Sequence, residues 1–161
     1  MTTEEYNKCV DEFSDGVYRF ALHNIRDRDK AKDIVQDSYA KMWEKVRDIN
    51  YTKARSYLFT TVYHTTIDVI RREKKHTGFE DAEYLQPSYS KEYSGLKEIV
   101  RNAVKRLPEI QRCVVLLRDY EGYSYEEIGE ITGLNESQVK VYIYRARVML
   151  KEYIGKLENV I

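Results

Sequence analysis

The chain has 161 residues, 27 basic and 27 acidic, so its net charge is zero and any grip on a polyanion must come from local charge. Two prolines and seven glycines leave few interruptions, which favours long helices over a many-turned β fold, and the length is enough for two small helical domains or one of ordinary size. No apolar run approaches the roughly 20 residues needed to cross a bilayer.

Residues 4–24 predict a first helix, with Tyr6, Val10, Phe13, Val17, Phe20 and Ala21 recurring three and four apart. A polar segment follows, and Asp29 is the expected cap of a second helix from Lys30 to about Val46. That helix turns Ala31, Ile34, Val35, Ser38, Met42 and Val46 inward. Asp33, Gln36 and Asp37 gather on another side, a pattern that a plain solvated face would also produce. A third helix is expected from Lys53 to Lys74, with Tyr57, Leu58, Thr61, Val62, Thr65 and Val69 inward. Its other side carries Phe59, Tyr63 and His64 and ends in Arg71, Arg72, Lys74, Lys75 and His76. Aromatic rings beside cations suit unpaired nucleic acid, because bases stack on rings while phosphates meet the charges. Packing of those rings against the first two helices is the alternative.

Charge is distributed unevenly. Residues 1–50 hold nine basic and eleven acidic side chains, whereas residues 51–76 hold six and two. Residues 77–94 hold one and four, and residues 134–161 hold five and three. The periodicity stops in the acidic stretch 77–94, where Gly78, Pro87 and several serines stand. This predicts a flexible linker whose 18 residues would span about 24 Å if unstructured. Beyond it a helix is expected over Leu96–Leu107 and another over Glu109–Tyr120, with Pro108 as its first-turn proline.

The stretch Tyr123–Lys151, YSYEEIGEITGLNESQVKVYIYRARVMLK, predicts a helix, a tight turn and a second helix. Ser124 with Glu127 forms a capping box. Gly129 leaves room for a close approach, and Gly133 supplies the positive φ that ends the first helix. Asn135 with Gln138 offers a second cap. Val139, Tyr142, Ile143, Ala146 and Leu150 then point inward, leaving Ser137, Lys140, Val141, Tyr144 and Arg145 outside. An outer face of this kind is how a recognition helix enters a major groove. No HExxH motif, phosphate loop or serine elbow occurs, and His23, His64 and His76 are scattered. Cys9 and Cys113 lack metal-ligand spacing, so two buried reduced thiols are expected, with no metal and no cofactor. The acidic N-terminus lacks the order of a signal peptide, which predicts a cytoplasmic chain without membrane insertion.

The order of these pieces resembles the extracytoplasmic-function group of RNA polymerase sigma factors. Four segments carry the likeness: AKDIVQDSYAKMW (Ala31 to Trp43), ARSYLFTTVYHTTIDVIRREKK (Ala54 to Lys75), LPEIQRCVVLLRDYEGYSYEEIGEITGL (Leu107 to Leu134) and ESQVKVYIYRARVMLK (Glu136 to Lys151). The resemblance implies an all-α fold of two small helical domains. These are a three-helix domain like sigma region 2 over 1–76 and a helix-turn-helix domain like sigma region 4 over 95–161, with 77–94 joining them. It assigns Asp33, Gln36 and Asp37 to a coiled coil of bacterial core RNA polymerase. Lys53, Arg55, Phe59, Tyr63, His64, Arg71, Arg72 and Lys75 go to the start-proximal promoter element, and the loop Asp48 to Ser56 to capture of a flipped-out base. Ser137, Gln138, Lys140, Val141, Tyr144, Arg145 and Arg147 go to the upstream element. An anti-sigma factor is an implied partner, and no catalytic site is expected. Lys32 stands where the family usually has an acidic residue, and Tyr63-His64 where it commonly has Arg-Asn. A stand-alone helix-turn-helix regulator binding an operator as a dimer is the alternative, but it leaves the basic aromatic helix at 54–75 without a task.

Overall fold

A computed structural model describes residues 1–77 and 95–160, and every regular element among them is helical. The expected linker, Thr77 apart, lies outside the described residues. Helix α1 spans Thr3–Ile25 and opens on a capping box: Thr2 Oγ1 accepts from Glu5 N at 3.1 Å, and Glu5 Oε1 accepts from Thr2 N at 2.9 Å. It closes at Arg26, whose φ of +61° turns the chain and whose N–H donates to Leu22 O at 2.7 Å. Only Asp27 then separates it from α2, Arg28–Glu44. Asp27, not Asp29, is therefore the cap, its Oδ1 accepting from Asp29 N at 3.0 Å and Lys30 N at 3.1 Å. The left-handed Arg26 ends the first helix so late that no room is left for a later cap.

Two short 3-10 turns, Val46–Asp48 and Tyr51–Lys53, lead into α3, Ala54–Thr77. Helices α1, α2 and α3 pack on one another in pairs. Val17, Phe20, Ile34, Met42, Leu58 and Val62 lie buried among them.

The second half consists of α4 (Leu96–Lys105), α5 (Glu109–Val115), α6 (Tyr125–Thr132) and α7 (Glu136–Val160). Pro108 stands at the cap of α5 rather than in its first turn, in an extended conformation with ψ of 150°. The helix expected to run on to Tyr120 widens instead into a π turn over Leu116–Tyr120, closed by Glu121 N donating to Leu116 O at 3.1 Å. The hairpin of α6 and α7 is built as its residues predict. Ser124 and Glu127 exchange hydrogen bonds at 3.1 and 2.8 Å, and Asn135 and Gln138 do the same at 2.8 and 3.0 Å. Gly133 has φ of +83°. A methyl group at Gly129 would come within 2.7 Å of Leu134 O, so the close approach there is made by the turn.

The two halves touch. Helix α3 packs on α6, and α1 on α4 and α5, so one continuous core runs through both. The sequence leaves the halves without a fixed spacing. The apolar side of α3 supplies one, because Phe59 and Tyr63 exceed what the first three helices can cover and take the remaining cover from the second half. Cys9 and Cys113 are both buried free thiols, and burial pushes the Cys113 thiol up to about 12.

Candidate nucleic-acid and polymerase interface

The outer face of α7 is open to solvent. Val139, Ile143 and Ala146 are buried beneath it, while Ser137, Lys140, Val141, Tyr144 and Arg145 all face solvent, Tyr144 being 69% exposed. The twin caps and the turn at Gly133 fix the angle at which this face is presented. Two of its expected members have prior engagements. Gln138 spends its amide oxygen on the Asn135 cap. Arg147 forms a two-pronged pair with Asp119, at 2.6 and 3.2 Å, which anchors α7 to the π turn. Lys140 sits 3.5 Å from Glu136 and 5.6 Å from the centre of the Tyr125 ring, a solvent-screened pair that a phosphate can displace.

On α2, Asp33, Gln36 and Asp37 are exposed, opposite the buried Ile34, Val35 and Ser38. Among the described residues no ion pair engages Asp33 or Asp37. Lys32 lies exposed beside them. Two carboxylates that no intramolecular ion pair engages can meet a basic partner.

The start-proximal set on α3 divides. Lys53, His64, Arg71, Arg72 and Lys75 are exposed, and the last three continue the basic end of the helix. Of the two readings that the sequence leaves open for Phe59 and Tyr63, an open stacking face and packing against the other helices, the structure takes the second. Phe59 is 2% exposed and meets Phe20 edge to face at 6.2 Å and Tyr123 at 5.2 Å. Tyr63 is buried as well, and desolvation pushes its phenol up to about 12. Arg55 is half-buried: its guanidinium lies 4.2 Å from the centre of the Tyr123 ring, and one of its N–H groups donates to Glu121 O at 2.7 Å. The physical reason is that the bend before α6 covers this stretch of α3.

Several residues of that cover carry no local signal in the sequence. Glu121, with its side chain 5% exposed, accepts from Arg19 Nε and Nη2, both at 2.9 Å. Arg112, also buried, donates to Asn24 Oδ1 at 2.8 Å and to Leu107 O at 3.1 Å, and Cys113 Sγ lies 3.4 Å from the same Asn24 oxygen. Tyr123 did carry a signal, since an apolar residue just before a helix cap is the usual staple position. That signal gives the burial of the ring but not the partner it meets.

Two family models match the chain, Sigma-70 region 2 over residues 9–76 and Sigma-70 region 4 over residues 97–150. The RNA polymerase sigma factor SigV of Bacillus subtilis is 30% identical over 149 residues, covering 92% of this chain and 90% of that protein. The ECF RNA polymerase sigma factor SigM of the same species is 24% identical over 167 residues, covering 99% of both. Among solved structures, the sigma factor RpoE in complex with the anti-sigma factor NepR from Bartonella quintana superposes with a TM-score of 0.80. It is 23% identical and covers 95% of this chain and 98% of its own. CnrH, in complex with the cytosolic domain of CnrY, gives 0.69 at 19% identity, over 94% and 88%.

Proposed function

This chain belongs to the extracytoplasmic-function group of RNA polymerase sigma factors, which direct promoter-specific initiation of transcription, and on that premise we propose a division of labour among its surfaces. Residues 1–76 dock on core RNA polymerase through Asp33, Gln36 and Asp37 and engage the start-proximal element through α3. Residues 95–161 carry the upstream-element reader, joined to the first half through 77–94. The observation that carries this reading is the open face of α7. Its inner stripe is fully committed to the core, its entry angle is set by a capped turn, and its outer stripe mixes cations with contact groups for base edges.

Lys140 and Arg145 meet guanine edges or phosphates, while Ser137, Val141 and Tyr144 lie between them along the groove. Gln138 and Arg147 contribute at the margins, since their side chains are already partnered. Lys53, Arg71, Arg72 and Lys75 hold the phosphates of the start-proximal element, beside Arg55, Phe59, Tyr63 and His64. Extruding a base from the duplex costs a few kcal/mol, and pocket contacts in the melted state offset it. The protein therefore has no need of nucleotide hydrolysis and works without a catalytic site or cofactor of its own.

No helix among the described residues is long and apolar enough to cross a membrane, which fits a chain acting in the cytoplasm on promoter DNA. An anti-sigma factor is a further expected partner, as RpoE has in NepR. The promoter reading gives a task both to the acidic trio of α2 and to the basic end of α3. A stand-alone operator-binding dimer uses neither.

Run-off transcription with purified core polymerase and a promoter library tests this. Discrete transcripts from a subset of promoters are expected with the wild-type chain, and none with the Asp33→Arg, Asp37→Arg double variant. Transcription that ignores promoter sequence, or survives the double variant unchanged, counts against the assignment.

A further inference from the structure

The bend Glu121–Gly122–Tyr123 presents three chemical features to the first half. The Tyr123 ring, 1% exposed, lies with the Arg55 guanidinium 4.2 Å from its centre and the Phe59 ring edge-on at 5.2 Å and 70°. The carbonyl of Glu121 accepts an N–H of Arg55 at 2.7 Å. The carboxylate of Glu121 takes both prongs of Arg19 on α1, at 2.9 Å each. Gly122, at φ of +78°, lets the chain fold back so that all three point the same way. Gly16 makes room for the carboxylate, since a methyl group there would lie 3.0 Å from Glu121 Oε1.

A planar ring between a guanidinium and an aromatic edge, an acceptor for the same guanidinium, and an anion held by a second arginine are the base, the exocyclic oxygen and the phosphate of a nucleotide. Arginine seats unpaired nucleotides in this way, by lying over the plane of the base, by hydrogen-bonding its edge and by pairing with the phosphate, while the edge-on Phe59 ring closes the other side. The fit of the tyrosine is incomplete. Its hydroxyl is buried and has no hydrogen-bond partner among the described residues, an arrangement that costs free energy. The niche on α1 and α3 is thus better matched to a ring with satisfied polar edges than to the phenol that fills it.

We propose that Arg19, Arg55 and Phe59 form a binding site for one unpaired nucleotide of the melted promoter strand, and that residues 121–123 occupy it in the free chain as an intramolecular stand-in. This rests on the promoter reading of α3 and adds Arg19 to it as a phosphate contact. Strand and second half then compete: the halves part when a base enters, and the site closes when it leaves.

The test is fluorescence anisotropy of the full chain with a labelled single-stranded DNA decamer of mixed sequence, and with the same decamer as a duplex. Tyr123→Ala should tighten single-strand binding about tenfold, the worth of one stacked base, and leave duplex binding unchanged. Tyr123→Phe removes the unpartnered hydroxyl, so it should strengthen closure and weaken strand binding severalfold. Adding Arg55→Ala to Tyr123→Ala should erase the gain, and adding Arg19→Ala should reduce the salt slope by about one phosphate contact. Glu121→Gln, which leaves the tyrosine seat intact, should tighten strand binding severalfold and guards against misfolding of the alanine variant. The proposal is overturned if folded Glu121→Gln binds the strand no tighter than wild type and Tyr123→Phe no weaker. A gain shared equally by the duplex, or surviving Arg55→Ala, overturns it too. Failure of the wild-type chain to assemble with core polymerase would overturn the promoter reading beneath it. Normal assembly with unmoved strand affinity overturns the nucleotide site alone.

Discussion

Replacing Gly129 by alanine probes the turn that aims α7. The added methyl would lie 2.7 Å from Leu134 O, a backbone atom, whereas carbon and carbonyl oxygen ordinarily approach no closer than about 3.3 Å. The turn must therefore move by roughly half an ångström. It is held between the left-handed Gly133 and the Asn135 cap, so neither end yields easily. Overpacking of this kind costs about 1–3 kcal/mol, and the better helix propensity of alanine offsets up to about 1 kcal/mol. A net loss of about 1–2 kcal/mol is expected, which lowers Tm by roughly 2–8 °C in a chain of this size. Gly155 is the matched control: it also lies in a helix, and a methyl group there meets nothing within 4 Å. Gly155→Ala should therefore raise stability by about 0.5–1 kcal/mol. Thermal unfolding followed by circular dichroism measures both. A Gly129→Ala chain as stable as wild type would refute the claim that backbone proximity sets the turn.

Other perturbations have equally definite outcomes. Asn24→Ala strips the buried Arg112 of the oxygen it donates to and should cost about 1.5–3 kcal/mol in urea unfolding. Arg145→Ala should weaken upstream-element binding by about 1–3 kcal/mol if it contacts a base edge, with core polymerase assembly intact, and a uniform loss over all upstream sequences would mean phosphate contact instead. Burial, and then Arg101 and Arg19, hold the pKa of His23 below its usual value. The unfolded chain therefore takes up the proton first, so stability is full above about pH 6.5 and falls as pH drops from there toward the folded pKa. His23→Gln should flatten that part of a urea-midpoint profile between pH 5 and 7.5.

Features set by neighbours in sequence were legible from sequence. The capping boxes at Ser124–Glu127 and Asn135–Gln138 and the turn at Gly133 follow from residues a few positions apart. So did the open face of α7 and the exposed trio of α2, where helical period alone separates inside from outside. What escaped depends on contacts far along the chain. Arg19 meets Glu121 across 102 positions, Arg112 meets Asn24 across 88, and Arg55 meets Glu121 across 66. No local pattern encodes such pairings. Local pattern therefore leaves Phe59 and Tyr63 open between an exposed aromatic face and packing on the first two helices, and the cover they meet comes from Phe20 of α1 and also from residues around Cys113 and Tyr123. The displaced cap at Asp27 and the π turn after Val115 have a more local origin. At the first, Asp27 and Asp29 could each cap α2, and the left-handed Arg26 leaves the place to Asp27; at the second, the helix runs on to Tyr120 but with a wider turn.

Zero net charge gives the free chain weak long-range attraction for DNA, and the bend at Tyr123 covers part of α3. Polymerase, by holding both halves on one promoter, would make the two DNA contacts act as a single bivalent binder. A filter-binding titration of promoter DNA with the chain alone and with core polymerase tests this most directly. Poor binding alone at physiological salt is predicted, with sequence-specific binding restored by core polymerase and lost again in the folded Asp33→Arg, Asp37→Arg variant. Tight, sequence-specific binding by the chain alone would contradict the account.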